Sequence, residues 1–155
     1  MKKFILFTVL FFASHSAIAA DPALNITTFN GKNFNLADKK GKIVIVNFWA
    51  SWCIQCRQES IILEDLYQKY NARGLEVIGV TIDEKSEYPN AIAIAKNMNY
   101  PNAFIDRAKT NSFGHPDAVP TTYIIDRKGN LSKTLLIRDE IISAEEFEKA
   151  LAQLF

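Results

Sequence analysis

The stretch Ile43-Val44-Ile45-Val46-Asn47-Phe48-Trp49-Ala50-Ser51-Trp52-Cys53-Ile54-Gln55-Cys56 decides the architecture of the chain. Its first half is apolar, rich in β-branched side chains and interrupted only by Asn47, which is the pattern of a strand buried on both faces. A helix is expected from Cys53 to Asn71, with Ile62, Leu66 and Tyr70 turned inward and Glu64, Asp65, Gln68 and Lys69 turned outward. Gly74 marks its end. Leu75 to Ile82 reads as a second buried strand, and Tyr88 to Met98 as a second helix. A strand, helix, strand unit of this kind is a right-handed parallel crossover.

On the N-terminal side, Ala23 to Leu36 alternates weakly around Asn30-Gly31, as a short hairpin or a pair of edge strands would. After the crossover come a short strand at Ala103 to Ile105 and a loop through Gly114-His115-Pro116-Asp117. Thr121 to Ile125 and Leu131 to Ile137 then pair as a hairpin about a turn at Asp126 to Asn130. A last helix runs from Ser143 to Leu154, opened by a capping box of Ser143 with Glu146. The expectation is one α/β domain over residues 20–155, a central mixed sheet flanked by helices with an N-terminal hairpin extension.

The chain has 155 residues, 48% of them hydrophobic and 23% charged, which excludes a disordered chain, a collagen-like repeat and a multi-span membrane protein. Met1-Lys2-Lys3, the apolar run Phe4 to Ala13 and Ala17-Ile18-Ala19 have the layout of a signal peptide cleaved after Ala19. A membrane-spanning helix needs roughly 20 apolar residues, and this run breaks at Ser14-His15-Ser16. Without Lys2 and Lys3, 16 basic residues face 17 acidic ones, so there is no electrostatic steering toward nucleic acid or anionic lipid. Export to the periplasm puts the two cysteines in an oxidising compartment.

Cys53 and Cys56 sit where the buried strand hands over to the helix. The unpaired N–H groups and dipole of a helix N-terminus favour an anion, so Cys53 is expected as the attacking thiolate and Cys56, one turn further in, as the resolving thiol. Their spacing can close a reversible disulfide. Only His115 could join them as a metal ligand in residues 20–155, short of the four a structural zinc site takes. A disulfide closing so small a loop removes little chain entropy and stabilises poorly.

Val46 to Glu59, together with Tyr100-Pro101, Asp106, Val119-Pro120-Thr121-Thr122-Tyr123-Ile124-Ile125-Asp126 and Gly129, resembles the signature of the TlpA/ResA-like thiol-disulfide oxidoreductases. These are exported members of the thioredoxin superfamily, and the group includes cytochrome c maturation proteins of the CcmG type. The resemblance covers nearly all of residues 24–155. It implies a thioredoxin-like fold, catalytic Cys53, Cys56, Glu59 and Pro120, substrate contact through Trp52, Val119 and Thr121, and neither cofactor nor metal. It also implies a cis Val119–Pro120 peptide facing the disulfide, beside which the Val119 backbone can pair with an extended substrate. Trp49 and Trp52 flank the site.

Exposure statistics alone would place Glu59 at the surface as a helical carboxylate. The resemblance places it near the cysteines, moving a proton to or from Cys56. Asn47 stands where cytosolic thioredoxins carry a buried aspartate, which strengthens that role for Glu59. The chain departs from the pattern in Ile54-Gln55, which lacks the usual proline, and in Ser60, which replaces another. Thr121 stands where the CcmG type tends to carry glutamate, which argues against a dedicated cytochrome c maturation role.

The expected activity is reduction of protein disulfides through a mixed disulfide, with electrons from a membrane donor of the DsbD or CcdA type. Run backwards, the same residues make a disulfide-donating oxidase. A rival of another class is a copper-binding metallochaperone using Cys53, Cys56 and His115 as soft ligands. A peroxidase would need Thr-x-x-Cys, and position 50 is alanine.

Overall fold

The computed structural model describes residues 21–136 and 142–155. The expected signal peptide, and the end of the last expected strand at Ile137, lie outside the described residues. Strands β1 (Leu24–Thr28), β2 (Asn33–Asn35), β3 (Ile43–Trp49), β4 (Leu75–Thr81), β5 (Asn102–Asn111), β6 (Thr121–Ile125) and β7 (Leu131–Leu136) form one sheet. The helices are α1 (Ile54–Tyr70), α2 (Tyr88–Ala95) and α3 (Ala144–Ala152). The strand order is β2-β1-β5-β4-β3-β6-β7. β3, β4 and β5 run parallel, and β6 then β7 on one side and β1 then β2 on the other are each antiparallel to the strand before them.

Every residue of β3 is buried, because it lies between β4 and β6 and is covered on both faces. Ile43 and Ile45 face one way, into a cluster with Leu63 and Leu66 of α1 and Phe147 and Leu151 of α3. Val44, Val46 and Phe48 face the other way, onto Leu24, Ile26, Phe34 and Leu36 of the N-terminal segment. Burying each such side chain contributes roughly 1.5–3 kcal/mol. Alternation therefore places Asn47 on the α1 side, directly beneath that helix.

The inner face of α1 differs from the expectation. Cys56, Glu59, Leu63, Leu66 and Tyr70 are its buried residues, whereas Ile62 is half-buried. Because Ile62 and Leu63 are adjacent and both apolar, the periodicity fits either phase, and packing into the cluster with Ile43, Ile45, Leu75 and Val77 of the sheet buries Leu63 more deeply than Ile62. After α1 a single tight turn leads to Gly74, whose φ of +98° reverses the chain into β4. Helix α2 stops at Ala95, short of Met98: two tight turns follow, Asn97 N–H to Ile94 O and Met98 N–H to Ala95 O, leading the chain to Pro101 and β5. Strand β5 is much longer than Ala103 to Ile105, because its polar second half pairs with β1 from Ala108 to Asn111. The capping box of Ser143 and Glu146 opens α3 as expected.

Gly79 of β4 lies opposite Asn47 on one side and Asn102 on the other. A Cβ there would stand 2.0 Å from Asn102 Oδ1 and 3.0 Å from Trp49 Nε1. The bare backbone lets these two side chains meet across the strand, the Trp49 indole donating to Asn102 Oδ1 at 3.1 Å. Gly79→Ala is expected to destabilise the chain by about 1–3 kcal/mol through overpacking. Urea unfolding followed by tryptophan fluorescence checks this, and an unchanged midpoint would contradict it.

Candidate functional site

Where β3 ends, the backbone makes a tight turn in which Cys53 N–H donates to Ala50 O at 3.1 Å. Cys53 is the N-cap of α1, with φ −85° and ψ 112°, and its sulfur accepts the Cys56 N–H at 3.1 Å. An N-cap normally uses an oxygen for this purpose. Here a sulfur occupies the place, at the positive end of a 17-residue helix where an anion is favoured. Cys53 and Cys56 are joined as a disulfide with Cα atoms 5.2 Å apart. Both are nearly buried, whereas Trp52 and Ile54 beside them are 61% and 63% exposed. The sulfurs thus lie in the floor of an apolar rim.

From across the sheet end, the loop before β6 brings the Val119 carbonyl oxygen to 3.6 Å from Cys53 Sγ. The Val119–Pro120 peptide bond is cis. Pro120 is buried and Val119 half-buried. Thr121 is turned inward, its hydroxyl donating to Ala118 O at 2.7 Å and so bracing the loop. His115 is exposed on the same loop, in the wall of a shallow cavity with Phe113 and Pro120. Among the described residues no three His, Cys, Asp or Glu side chains converge as metal ligands would.

Glu59 is fully buried, one helical turn beyond Cys56 on the same inner face. The surface carboxylate of exposure statistics is therefore not what the fold builds. Glu59 Oε1 accepts the Asn47 amide at 3.0 Å and the Thr122 hydroxyl, and Asn47 also donates to Thr122 Oγ1 at 2.9 Å. Glu59 Oε2 is buried without a hydrogen-bond partner. Burial pushes the Glu59 carboxyl up to about 7, against a smaller opposing pull from the Thr122 hydroxyl. A group at that value exchanges protons readily near neutral pH.

Three further residues serve the site without having been given a role from the sequence. Thr122 is the cross-strand partner of Asn47, so the register of β3 with β6 locates it. Asn102 holds the Trp49 indole, and Asp83 holds Ser51 in the turn before the cysteines. For Thr122 the parity of inward positions on adjacent strands is an available signal; for Asp83 and Asn102 there is none.

In the unfolded chain Glu59 ionises near 4.5, and in the fold near 7. Below the lower value both states are protonated and burial of the group carries no ionisation penalty. Between the two values the folded chain keeps a proton that the unfolded chain releases, so stability falls as pH rises. Above the upper value the full cost, about 3 kcal/mol, applies. Glu59→Gln is therefore expected to be more stable than the parent at pH 8, by up to about that amount, with the gain shrinking toward pH 4.5. Urea unfolding at both pH values checks it; an equal difference at both would contradict the assignment.

Residues 18–134 match the AhpC/TSA family. Thioredoxin-like protein YneN of Bacillus subtilis (strain 168) is 40% identical over 111 residues, covering 70% of this chain and 64% of that protein. Thiol-disulfide oxidoreductase ResA of Bacillus anthracis is 30% identical over 115 residues, covering 74% of this chain and 66% of that protein. The chain thus spans just under two thirds of the length of these relatives. A crystal structure of a thiol:disulfide interchange protein of the thioredoxin family from Chlorobium tepidum TLS matches with a TM-score of 0.70 and 26% identity, over 89% of this chain and 99% of that one. These matches agree with the resemblance carried by Val46 to Glu59, and the fold is thioredoxin-like.

Proposed function

Because the chain belongs to the AhpC/TSA family, we propose, on the geometry of its cysteine pair, that it is an exported thiol-disulfide oxidoreductase that reduces protein disulfides. The observation that carries this reading is the placing of Cys53. Its sulfur caps α1, lies beside the Val119 carbonyl, and is framed by exposed Trp52 and Ile54, with a proton-exchanging carboxyl beneath.

In the dithiol form the Cys53 thiolate attacks one sulfur of a substrate disulfide. That S–S bond breaks, a mixed disulfide forms, and the departing substrate thiolate takes a proton from solvent. Cys56 then gives its proton to the Glu59 carboxylate, and its thiolate attacks Cys53 Sγ. The mixed disulfide breaks, the second substrate thiolate leaves, and the chain keeps the disulfide. Two electrons have passed to the substrate. An extended substrate segment lies along the Val119 backbone, against Trp52, with Pro120 and Thr121 holding that loop in place.

Residues 1–19 act as the export signal and residues 20–155 as the working domain, placing the chain in the periplasm. A membrane donor of the DsbD or CcdA type returns the electrons. Nothing in this cycle calls for a metal or cofactor.

The reading is tested with Cys56→Ser, which is expected to accumulate a covalent adduct with a disulfide-bonded test protein, whereas Cys53→Ser forms none. Adducts through Cys56 instead would overturn the assignment of roles. Direction is read from the reduction potential in graded glutathione buffers. A reductase is expected at about −250 mV or below, and a value near about −120 mV would mean that the chain introduces disulfides.

A further inference from the structure

The last register pair of β3 with β4 is Trp49 with Thr81, after which the two chains part. One enters the Ala50–Cys53 turn and the other reaches Asp83, whose carboxylate bridges the gap. Asp83 Oδ1 accepts the Ser51 hydroxyl at 2.8 Å and the Ser51 N–H at 3.1 Å. Asp83 Oδ2 accepts the same N–H at 2.9 Å and the Thr81 hydroxyl. Asp83 is 4% exposed and Thr81 is fully buried. Every partner is a neutral donor, which suits the acceptor-only form of a carboxylate. Among the described residues Asp83 has no ion-pair partner.

A buried carboxylate of this kind does two things to the residue at the end of the turn. It fixes Ser51, and through the turn it holds Cys53 at the helix cap. Its negative charge, bonded to Ser51 two residues before Cys53, also opposes a second negative charge on the cysteine sulfur. We propose that Asp83 is a positioning residue that fixes the Ala50–Cys53 turn and holds back ionisation of the Cys53 thiol.

The helix N-terminus and the Asp83 carboxylate then act on Cys53 in opposite senses, one favouring the thiolate and the other limiting it. Other charged or titratable groups on the surrounding elements are Glu84, Lys85 and Glu87 in the turn that follows Asp83, Tyr88 of α2, Asp106 and Arg107 of β5, Arg57 and Glu59 of α1, and His115 and Asp117 of the loop that brings Val119 to Cys53. Asp83 differs from them in bonding directly to the turn that carries Cys53. The proposal rests on Cys53 being the attacking thiol, which the Cys56→Ser adduct tests separately.

The experiment is alkylation of the reduced full-length chain with iodoacetamide across pH, reading the midpoint for Cys53 by mass. Asp83→Asn keeps the size of the side chain and one acceptor oxygen but removes the charge. Its midpoint is expected about one pH unit below the parent's, a tenfold larger thiolate-to-thiol ratio. Ser51→Ala keeps both N–H contacts and removes one donor that offsets the charge, so its midpoint is expected to move the other way. It also serves if Asp83→Asn does not fold. Loosening of the turn alone would not move the two variants in opposite directions. Midpoints equal to the parent's in the variants that fold, or shifts of the same sign in both, would overturn the proposal.

Discussion

A carboxyl group shut away from water sits one helical turn below the disulfide, and much of the surrounding packing exists to hold it there. Glu59 hangs from α1 onto Asn47 of β3 and Thr122 of β6. Its acceptance by neutral donors, with no cation among the described residues to pair it, is what leaves burial as the dominant influence on its proton. An arginine or lysine in place of Asn47 would pin the carboxylate in its charged form. An apolar residue there would leave Oε1 without that donor.

That arrangement makes stability and reactivity draw on one group. The core on the α1 side, with Leu63, Leu66, Phe147 and Leu151, must hold α1 against β3 while a charged or half-charged side chain lies between them. The second face of the sheet, filled by Leu24, Ile26, Phe34 and Leu36, anchors the strands from behind. Polar side chains are concentrated instead toward the ends of β3 and β4 nearest the cysteines. There Asn47, Trp49, Thr81 and Asp83 each have a hydrogen-bond partner from another element or the adjoining turn. The polar layer is therefore a set of braces around the cysteine turn, each one satisfied, with Glu59 Oε2 left free to exchange a proton.

Much of this is legible in the residues. β3 and β6 have the expected bounds, because IVIVNFW and TTYII are unbroken runs of β-branched and aromatic residues apart from Asn47. The cysteine pair at the head of a helix follows from the same run. The inner face of α1 is not legible in this way, because Ile61, Ile62 and Leu63 offer more than one phase and only tertiary packing onto the sheet chooses among them. Half of β5 escapes a local reading because its polar residues form a strand by pairing with β1, a partner remote in sequence. The burial of Glu59 is invisible locally, since the hydroxyl it meets lies 63 positions away, and Asp83 reaches Ser51 over 32. Local sequence reports propensity and period; it does not report which polar groups the fold will bring into contact.

The protonation of Glu59 is read by a pH titration of its side-chain carboxyl carbon by carbon-13 NMR in the disulfide form of the full chain, with Glu59→Gln to assign the signal. The structure predicts a midpoint of about 7, and a midpoint near the ordinary 4.5 would show that the carboxyl is solvated and cannot serve Cys56 in the way set out above.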